Sequence, residues 1–541
     1  MLDLLAGVLT LALPQDPGAA AAGPSVFATH SVATIVRPAP LLFPETSPRL
    51  DGAEFVPLLG AAESPRVSGT ELAHLLRQHF DRKELDSIRS TGDRLLVDGT
   101  SAAQAEAAAL LDFVEASLVR RLRISVETFE GELPAELPEQ LDAVFLEGLG
   151  AATWRATGTT RSGWRAAFVH RRATPFVGDI EVEVSEQARI EDPIVSNVFE
   201  GVHVRVEPHV LAGGEVLLIG ALQAGRQLGE PRHLPGRDGR PGLDAPRAAW
   251  TELTWSGVVA VGEPLVVVAR GPVADVVVAV HVDAVSPAPA PLDQVAIVPT
   301  SALTSTTARV PSAAVPSGFE QAFEPWAWSG RFDPVEEPCG ALTIDTVKDL
   351  VRSVGAAPDR PVMAERFGIG VALWGSAADL RECTQLVRHL ERDLLPTHRL
   401  RVTTEAADRR YDVDVPAVTG LWHTVSHGEV ELALRDFNAE ISHQMSVADP
   451  ETVELFRGVG GHFAVLAGRA APSLALQLAC DDFGAVEAHE SDDPQLGEFW
   501  WAPGENATFR WDGPVDPEGV TLHRGSALGA DRAFTQRVRL R

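Results

Sequence analysis

Between Val202 and Glu207 apolar and polar residues alternate strictly, Val202, Val204 and Val206 against His203, Arg205 and Glu207. A period of two sends the valines to one face and the polar residues to the other, which predicts a strand with one buried and one wet face. Ile124, Val126 and Thr128 predict another strand, and "GGEVLLIGAL", "WTELTWSGVVAVGEPLVVVARG" and "ADVVVAVHVDAV" predict further strands with glycine-containing turns. Upstream the period lengthens. In "TELAHLLRQHF", from Thr70, Leu72, Leu75 and Leu76 share one helical face; Ala107, Leu110, Leu111, Val114 and Leu118 do the same in a helix opened by Gly99. Ser101 followed by Gln104 fits a capping box at the start of that helix. Two short strands with a turn at Gly92 and Asp93 lie between the helices, giving a unit of helix, strand, strand, helix, strand.

The same pattern recurs. "SEQARIEDPIVSNVFEG" (Ser185 to Gly201) meets "SHQMSVADPETVELFRG" (Ser442 to Gly458) at an offset of 257 without gaps. Asp179, Glu183, Gln187, Asp192, Pro193, Phe199 and Val202 fall on Asp436, Glu440, Gln444, Asp449, Pro450, Phe456 and Val459. The helical block recurs at an offset of 276, where Gly375, Cys383, Leu386, Val387, Leu390 and Leu394 repeat the apolar face in "VALWGSAADLRECTQLVRHLERDLLPTHRLRVTTE". In "DTVKDLVRSVG", Val347, Leu350 and Val351 repeat Leu72, Leu75 and Leu76, and Leu400, Val402 and Thr404 repeat the strand at Ile124. The expected fold class is therefore α+β: two copies of a small αββαβ, KH-like unit, each followed by a mostly antiparallel β domain. The expected boundaries are a signal peptide over 1–22, a first αβ module with N-terminal strands over 23–128 and a first β domain over 129–285. A linker over 286–318, a second αβ module over 319–405 and a second β domain over 406–541 complete the chain. The linker is rich in Pro, Ala, Ser and Thr, with one short strand expected at Val295 to Val298, and the insert from Gly225 to Arg247 reads as a mobile loop.

Composition narrows the function classes. A chain of 541 residues is long enough for about three or four domains, and 45% hydrophobic with 22% charged residues is ordinary for a globular protein. A formal charge of −29 repels phosphates, which argues against non-specific binding to nucleic acid or anionic lipid. Cys339, Cys383 and Cys480 lack metal or redox spacing and read as small buried residues. The apolar run from Leu4 to Leu13, a proline-containing break and small residues to Ala22 read as an export signal, although no Lys or Arg precedes the run. No later stretch has the ~20 apolar residues of a membrane-spanning helix, so membrane contact falls to strands or partners.

The chain has no GxSxG, HExxH, Walker or GxGxxG-helix motif, and no residue is singled out as catalytic, cofactor-binding or metal-ligating; no cofactor is expected. His203 and His209, and His170 with its repeat His427, read as solvated strand histidines. "HESDD" from His489 to Asp493, near Asp481 and Asp482, reads as an acidic turn, and Trp326, Trp328, Trp500 and Trp501 as core or contact residues.

The module "LLVDGTSAAQAEAAALLDFVE" followed by "RISVETFE" is similar to the ring-building modules of secretins and the strand that opens their β domain. "SGWRAAFVHRRATPFVGDIEVEVSEQA", "FEGVHVRVEPHVLAGGEVLLIGALQAG" and "WSGVVAVGEPLVVVARG" resemble the core strands of that domain in family order. Gly201 to Pro208 resembles the family's G-x-x-x-x-V-x-P stretch; the second copy lacks the proline. No pair of long amphipathic membrane hairpins lies between Phe129 and Ala166, and the chain has two β domains where a secretin subunit has one. The resemblance implies a non-enzymatic structural component of the cell envelope, in the periplasm or outer membrane, that associates with itself or with type II, type III or pilus-type secretion proteins. The alternative is a soluble periplasmic binding or adaptor protein, with an enzyme a distant third.

Overall fold

The computed structural model describes residues 26–32, 35 and 67–80 and, from 85 to 540, all but short stretches, of which the longest are 235–241, 312–333, 491–497 and 525–533. The expected signal peptide, the turn at Gly92 and Asp93, Trp326, Trp328 and Cys339 lie outside the described residues.

The chain first forms β1 (Val26–Ser31), α1 (Gly69–His79), β2 (Leu85–Thr91), β3 (Arg94–Gly99) and α2 (Ser101–Leu118). The three strands make an antiparallel sheet in the order β1-β3-β2, and Leu72, Leu76, Leu110 and Val114 bury the helices against it. The capping box stands at α1, where Ser68 Oγ accepts from the Glu71 amide and Glu71 accepts from the Ser68 amide. This corrects the expectation for α2: its N-cap is Thr100, so the third helical residue is Ala103, which has no side-chain acceptor. Gln104, freed from capping, instead donates to the Val97 carbonyl at 2.7 Å.

The first β region comprises β4 (Arg121–Phe129), α3 (Ala143–Leu149), β5 (Trp154–Arg161), β6 (Ala166–Val184), β7 (Arg189–Val210), β8 (Val216–Gln227), β9 (Arg247–Val259), β10 (Pro264–Arg270) and β11 (Asp275–Val285). The insert between β8 and β9, expected as a loop, contains a small hairpin pairing Arg232–Leu234 with Leu243–Ala245, and Asp244 accepts from the Val177 amide at 3.2 Å.

A second αβ module follows: β12 (Val295–Pro299), α4 (Ile344–Val354), β13 (Met363–Phe367), β14 (Gly370–Trp374) and α5 (Ala377–Leu394). Its sheet order, β12-β14-β13, matches that of the first module, and the strand expected at Val295 supplies its edge. The chain ends in β15 (Thr397–Ala406), β16 (Arg409–Val418), β17 (Trp422–Ile441), β18 (Ser446–Leu466), β19 (Ser473–Phe483), β20 (Gly504–Pro514), β21 (Val520–Arg524) and β22 (Phe534–Leu540).

Among the described residues, two eight-stranded antiparallel sheets contain all the large strands, in the orders β6-β7-β8-β9-β17-β18-β19-β20 and β5-β4-β11-β10-β16-β15-β22-β21. Each takes four strands from the first β region and then four from the second, laid down in the same order. Val204, Val206, Leu218, Leu253 and Trp255 of one sheet share a dry core with Ile124, Val126, Val267, Val280 and Val413 of the other. The inward valines predicted at Val202 to Val206 are among them, because alternation on a one-sided antiparallel sheet sends every second residue to that core. The register slips at Val177/Asp179 in the β6-β7 hairpin and at Leu434/Asp436 in the β17-β18 hairpin, two bulges 257 residues apart. Gly201, at φ 122°, and Gly458 sit at corresponding points of the two hairpins, where a side chain would strike the carbonyl of His170 or His427.

Candidate assembly interface

The two β regions meet along both sheets. In the first, β9 pairs with β17 from Arg247 opposite Glu431 to Leu253 opposite Val425; in the second, β10 pairs with β16 over Val268 to Arg270. The joint is polar at its heart. Ser256 Oγ accepts from the Val418 amide at 2.9 Å and lies 3.0 Å from His423 Nε2, so its proton is left to point at the imidazole. Thr251 Oγ1 bonds His427 Nδ1 in the same way. Burial pushes His423 down to about 3 and His427 to about 4, so both rings are neutral at neutral pH and act as hydrogen-bond partners rather than charges.

Charge closes the rim. Arg247 of β9 reaches Glu429 at 3.3 Å and Glu431 at 3.5 Å, and Arg409 meets Glu429 at 3.0 Å. Arg270 of β10 faces Asp412 at 3.6 Å. Asp414, 1% exposed, accepts from Arg399 at 2.6 Å and Arg401 at 2.7 Å, and Arg399 also donates to the Val266 carbonyl across the joint. The Val258 amide donates to Thr397 Oγ1 at 2.8 Å. Buried carboxylates of this kind are tolerable only because each has a close guanidinium.

The αβ modules form a second joint. The sheet of the second module sits on the helices of the first: Val295, Ile297, Phe367 and Ala372 share a core with Leu75, Leu110 and Leu118. Glu365 accepts from Gln78 at 2.7 Å and lies 3.1 Å from His74, and the Gly368 amide donates to Glu71. The second module also rests on the first β region, where the Ala212 amide donates to Glu391 at 2.8 Å and Arg388 donates back to the Ala212 carbonyl. Burial raises Glu391 to about 8.

The histidines read as solvated divide. His170 is exposed on β6, but His209 and His427 are buried at 4% and 3%, which corrects that reading. Alternation put them on a polar face without showing that a neighbouring strand covers it. His209 lies 3.0 Å from Glu207; burial works against the Glu207 charge, and His209 and Arg165 outweigh it, holding the carboxyl at about 2. His170 stacks on Trp154 at 5.4 Å, while its repeat His427 packs edge-on against Tyr411 at 6.1 Å. Trp154 and Tyr411 are themselves 257 apart, a pair the sequence reading missed. Among the described residues no group of three metal-ligating side chains converges, and Cys383 is buried and unpaired. Asp492 and Asp493 lie outside the described residues, while Cys480, Asp481, Asp482, His489, Trp500 and Trp501 fall on strands.

No family model matches the sequence, and no curated protein does so. Among solved structures, the fold is similar to the secretin domain β-barrel of InvG from the Salmonella SPI-1 injectisome, at 14% identity over 58% of this chain and 95% of that one, with a TM-score of 0.23. It is also similar to the type II secretin GspD from enteropathogenic Escherichia coli, at 11% identity over 40% of this chain and 84% of that one, with a TM-score of 0.20. The secretin in the ETEC AspS–GspD pilotin–secretin complex is matched at 11% identity over 39% of this chain and 59% of that one, with a TM-score of 0.18.

Proposed function

We propose that this chain is an exported, non-enzymatic, secretin-like structural component of the cell envelope, built from two copies of one αβ-plus-β unit and belonging to a type II, type III or pilus-type secretion assembly. The observation that carries the reading is the way the two β regions continue one another. Strand order, bulge position and glycine position repeat across the joint, so the second region extends both sheets of the first in the same sense. An arrangement that adds the next unit at the edge of the last is suited to building a wall, and needs no reacting group.

The test is fractionation of cells producing the full chain, with protein export measured in a strain lacking it. Recovery with envelopes, extraction only by detergent and loss of export support the reading. Release from the periplasm in buffer alone, with export intact, would favour the soluble adaptor instead.

A further inference from the structure

On the outer face of the second sheet, the pairing of β16, β15 and β22 sets side chains in rows. Asp414, Arg401 and Arg539 stand opposite one another across the three strands, and Asp412, Thr403 and Arg537 form the next row on the same face. Residues two apart share a face of a strand, so the rows lie about 7 Å apart and neighbours within a row about 5 Å. All of these but Asp414 line a polar cavity of about 220 Å³.

Charge is paired on one side of this grid only. Asp414 accepts from Arg399 and Arg401, and the other donors of Arg401 go to the carbonyls of Leu137 and Pro138. Asp412 accepts from Arg410 at 2.9 Å and faces Arg270 at 3.6 Å, both through Oδ2. Arg537 and Arg539 of β22 are left over, since among the described residues neither guanidinium meets a carboxylate. The strand beyond supplies none to Arg537, because β21 sets the exposed Thr521 opposite it. Arg539 stands directly across from Arg401, and like charges in that position oppose the pairing.

Two buried atoms define what the cavity suits. Arg539 Nε has no acceptor, and Asp412 Oδ1 has no donor. A buried polar atom of either kind is costly to leave unmet. At ~30 Å³ per water, the cavity has room for about seven waters, which fits a small polar anion and not a drug-sized apolar ligand.

We propose that this cavity binds a phosphate group, with Arg537 and Arg539 donating to its oxygens and Asp412 Oδ1 accepting from a hydroxyl that the ligand carries. Two unopposed guanidinium groups match a dianion, and a tetrahedral phosphate has oxygens for both forks where a carboxylate has only two. The carboxylate of Asp412 adds a second requirement. It repels an oxyanion without a proton, such as sulfate, and accepts from one with a hydroxyl: hydrogen phosphate itself, or a small phosphate ester with an adjacent alcohol. The formal charge of −29 works against loose association of anions, so binding falls to a site that concentrates arginine locally.

The test is titration calorimetry of the full chain in phosphate-free buffer, with inorganic phosphate, sulfate and glycerol 3-phosphate as probes. One phosphate or ester is expected to bind per chain, about 10-fold or more tighter than sulfate. Whichever of the two binds tighter identifies the source as the free ion or the ester. Arg537→Gln and Arg539→Gln are each expected to weaken binding about 10-fold, and Thr403→Leu, which fills the floor of the cavity, to abolish it. Melting curves without ligand confirm that each variant is folded, and Arg537→Gln, at an exposed position, decides alone where the others are not. No binding at millimolar phosphate, unchanged binding in Arg537→Gln, or sulfate binding as tightly as phosphate overturns the proposal.

Discussion

The outer faces of the second sheet's two halves solve the same exposure problem differently. Around β10 and β11 the outward residues are Val266, Val268, Val277 and Ala279, and the segment between β4 and β5 folds over them with Leu137, Leu141, Phe145 and Leu146. Between β15 and β16 only two residues intervene, and among the described residues no such apolar segment covers the face. There the outward positions are Arg399, Arg401, Arg410, Asp412, Asp414 and Arg539; of these Arg401, Arg410, Asp412 and Arg539 line a polar cavity of about 220 Å³, to which Glu136 and Leu137 of the first half also contribute. A half with a lid can present valine outward; a half without one presents charge, and must pair it. The lid also reaches across the joint, since Arg401 donates to the carbonyls of Leu137 and Pro138; within the first half, Arg270 donates to that of Pro134.

This contrast is sharpest at Asp414. Removing the carboxylate in Asp414→Ala leaves two half-buried guanidinium groups without their only carboxylate partner among the described residues and is expected to cost about 3 kcal/mol in a denaturant melt. Its counterpart in the first half is Thr157, exposed on β5, where Thr157→Ala is expected to stay within about 0.5 kcal/mol. Equal costs at the two positions would break the comparison. Phe145→Ala, which opens the lid over the apolar half, is expected to cost about 3 kcal/mol by the same melt. Across the joint, Ser256→Ala leaves the Val418 amide and His423 unsatisfied and is expected to cost about 1–3 kcal/mol, against a near-neutral His170→Ala at the open edge.

The smallest effects are pH slopes of opposite sign. His423 and His427 have folded values of about 3 and 4, below the ordinary 6.5, so the stability linked to their neutral forms is complete above 6.5 and is lost as pH falls toward those values. Glu391 has a folded value of about 8, above the ordinary 4.5, so its contribution is complete below 4.5 and is lost as pH rises through 8. Melting temperatures from pH 4 to 9 should fall at both ends, and Glu391→Gln should flatten the alkaline side alone.

Much of the α+β architecture was legible because apolar periodicity announces helices and strands whatever polar residues stand between. Leu110, Val114 and Leu118 announce the same helix face as Leu386, Leu390 and Leu394, and Asp192-Pro193 marks the same hairpin as Asp449-Pro450. The joint was not legible. The pairing of β9 with β17 links residues nearly a module apart, and no local pattern encodes a partner at that separation. Alternation likewise told that His427 shares a face with other polar residues, not that Thr251 would cover it. Nothing in the sequence pairs Trp154 with Tyr411, because they lie outside the matched blocks and differ in type. The lid over Val266 and Val268 leaves no sequence signature, since short apolar clusters around proline carry no period.

The most direct test of the account is the mass of the full chain purified from envelopes, measured by light scattering with and without mild detergent and followed by negative-stain images. The account predicts closed assemblies of many copies, with twice as many repeating β units around the wall as there are chains. A stable monomer under both conditions would contradict it.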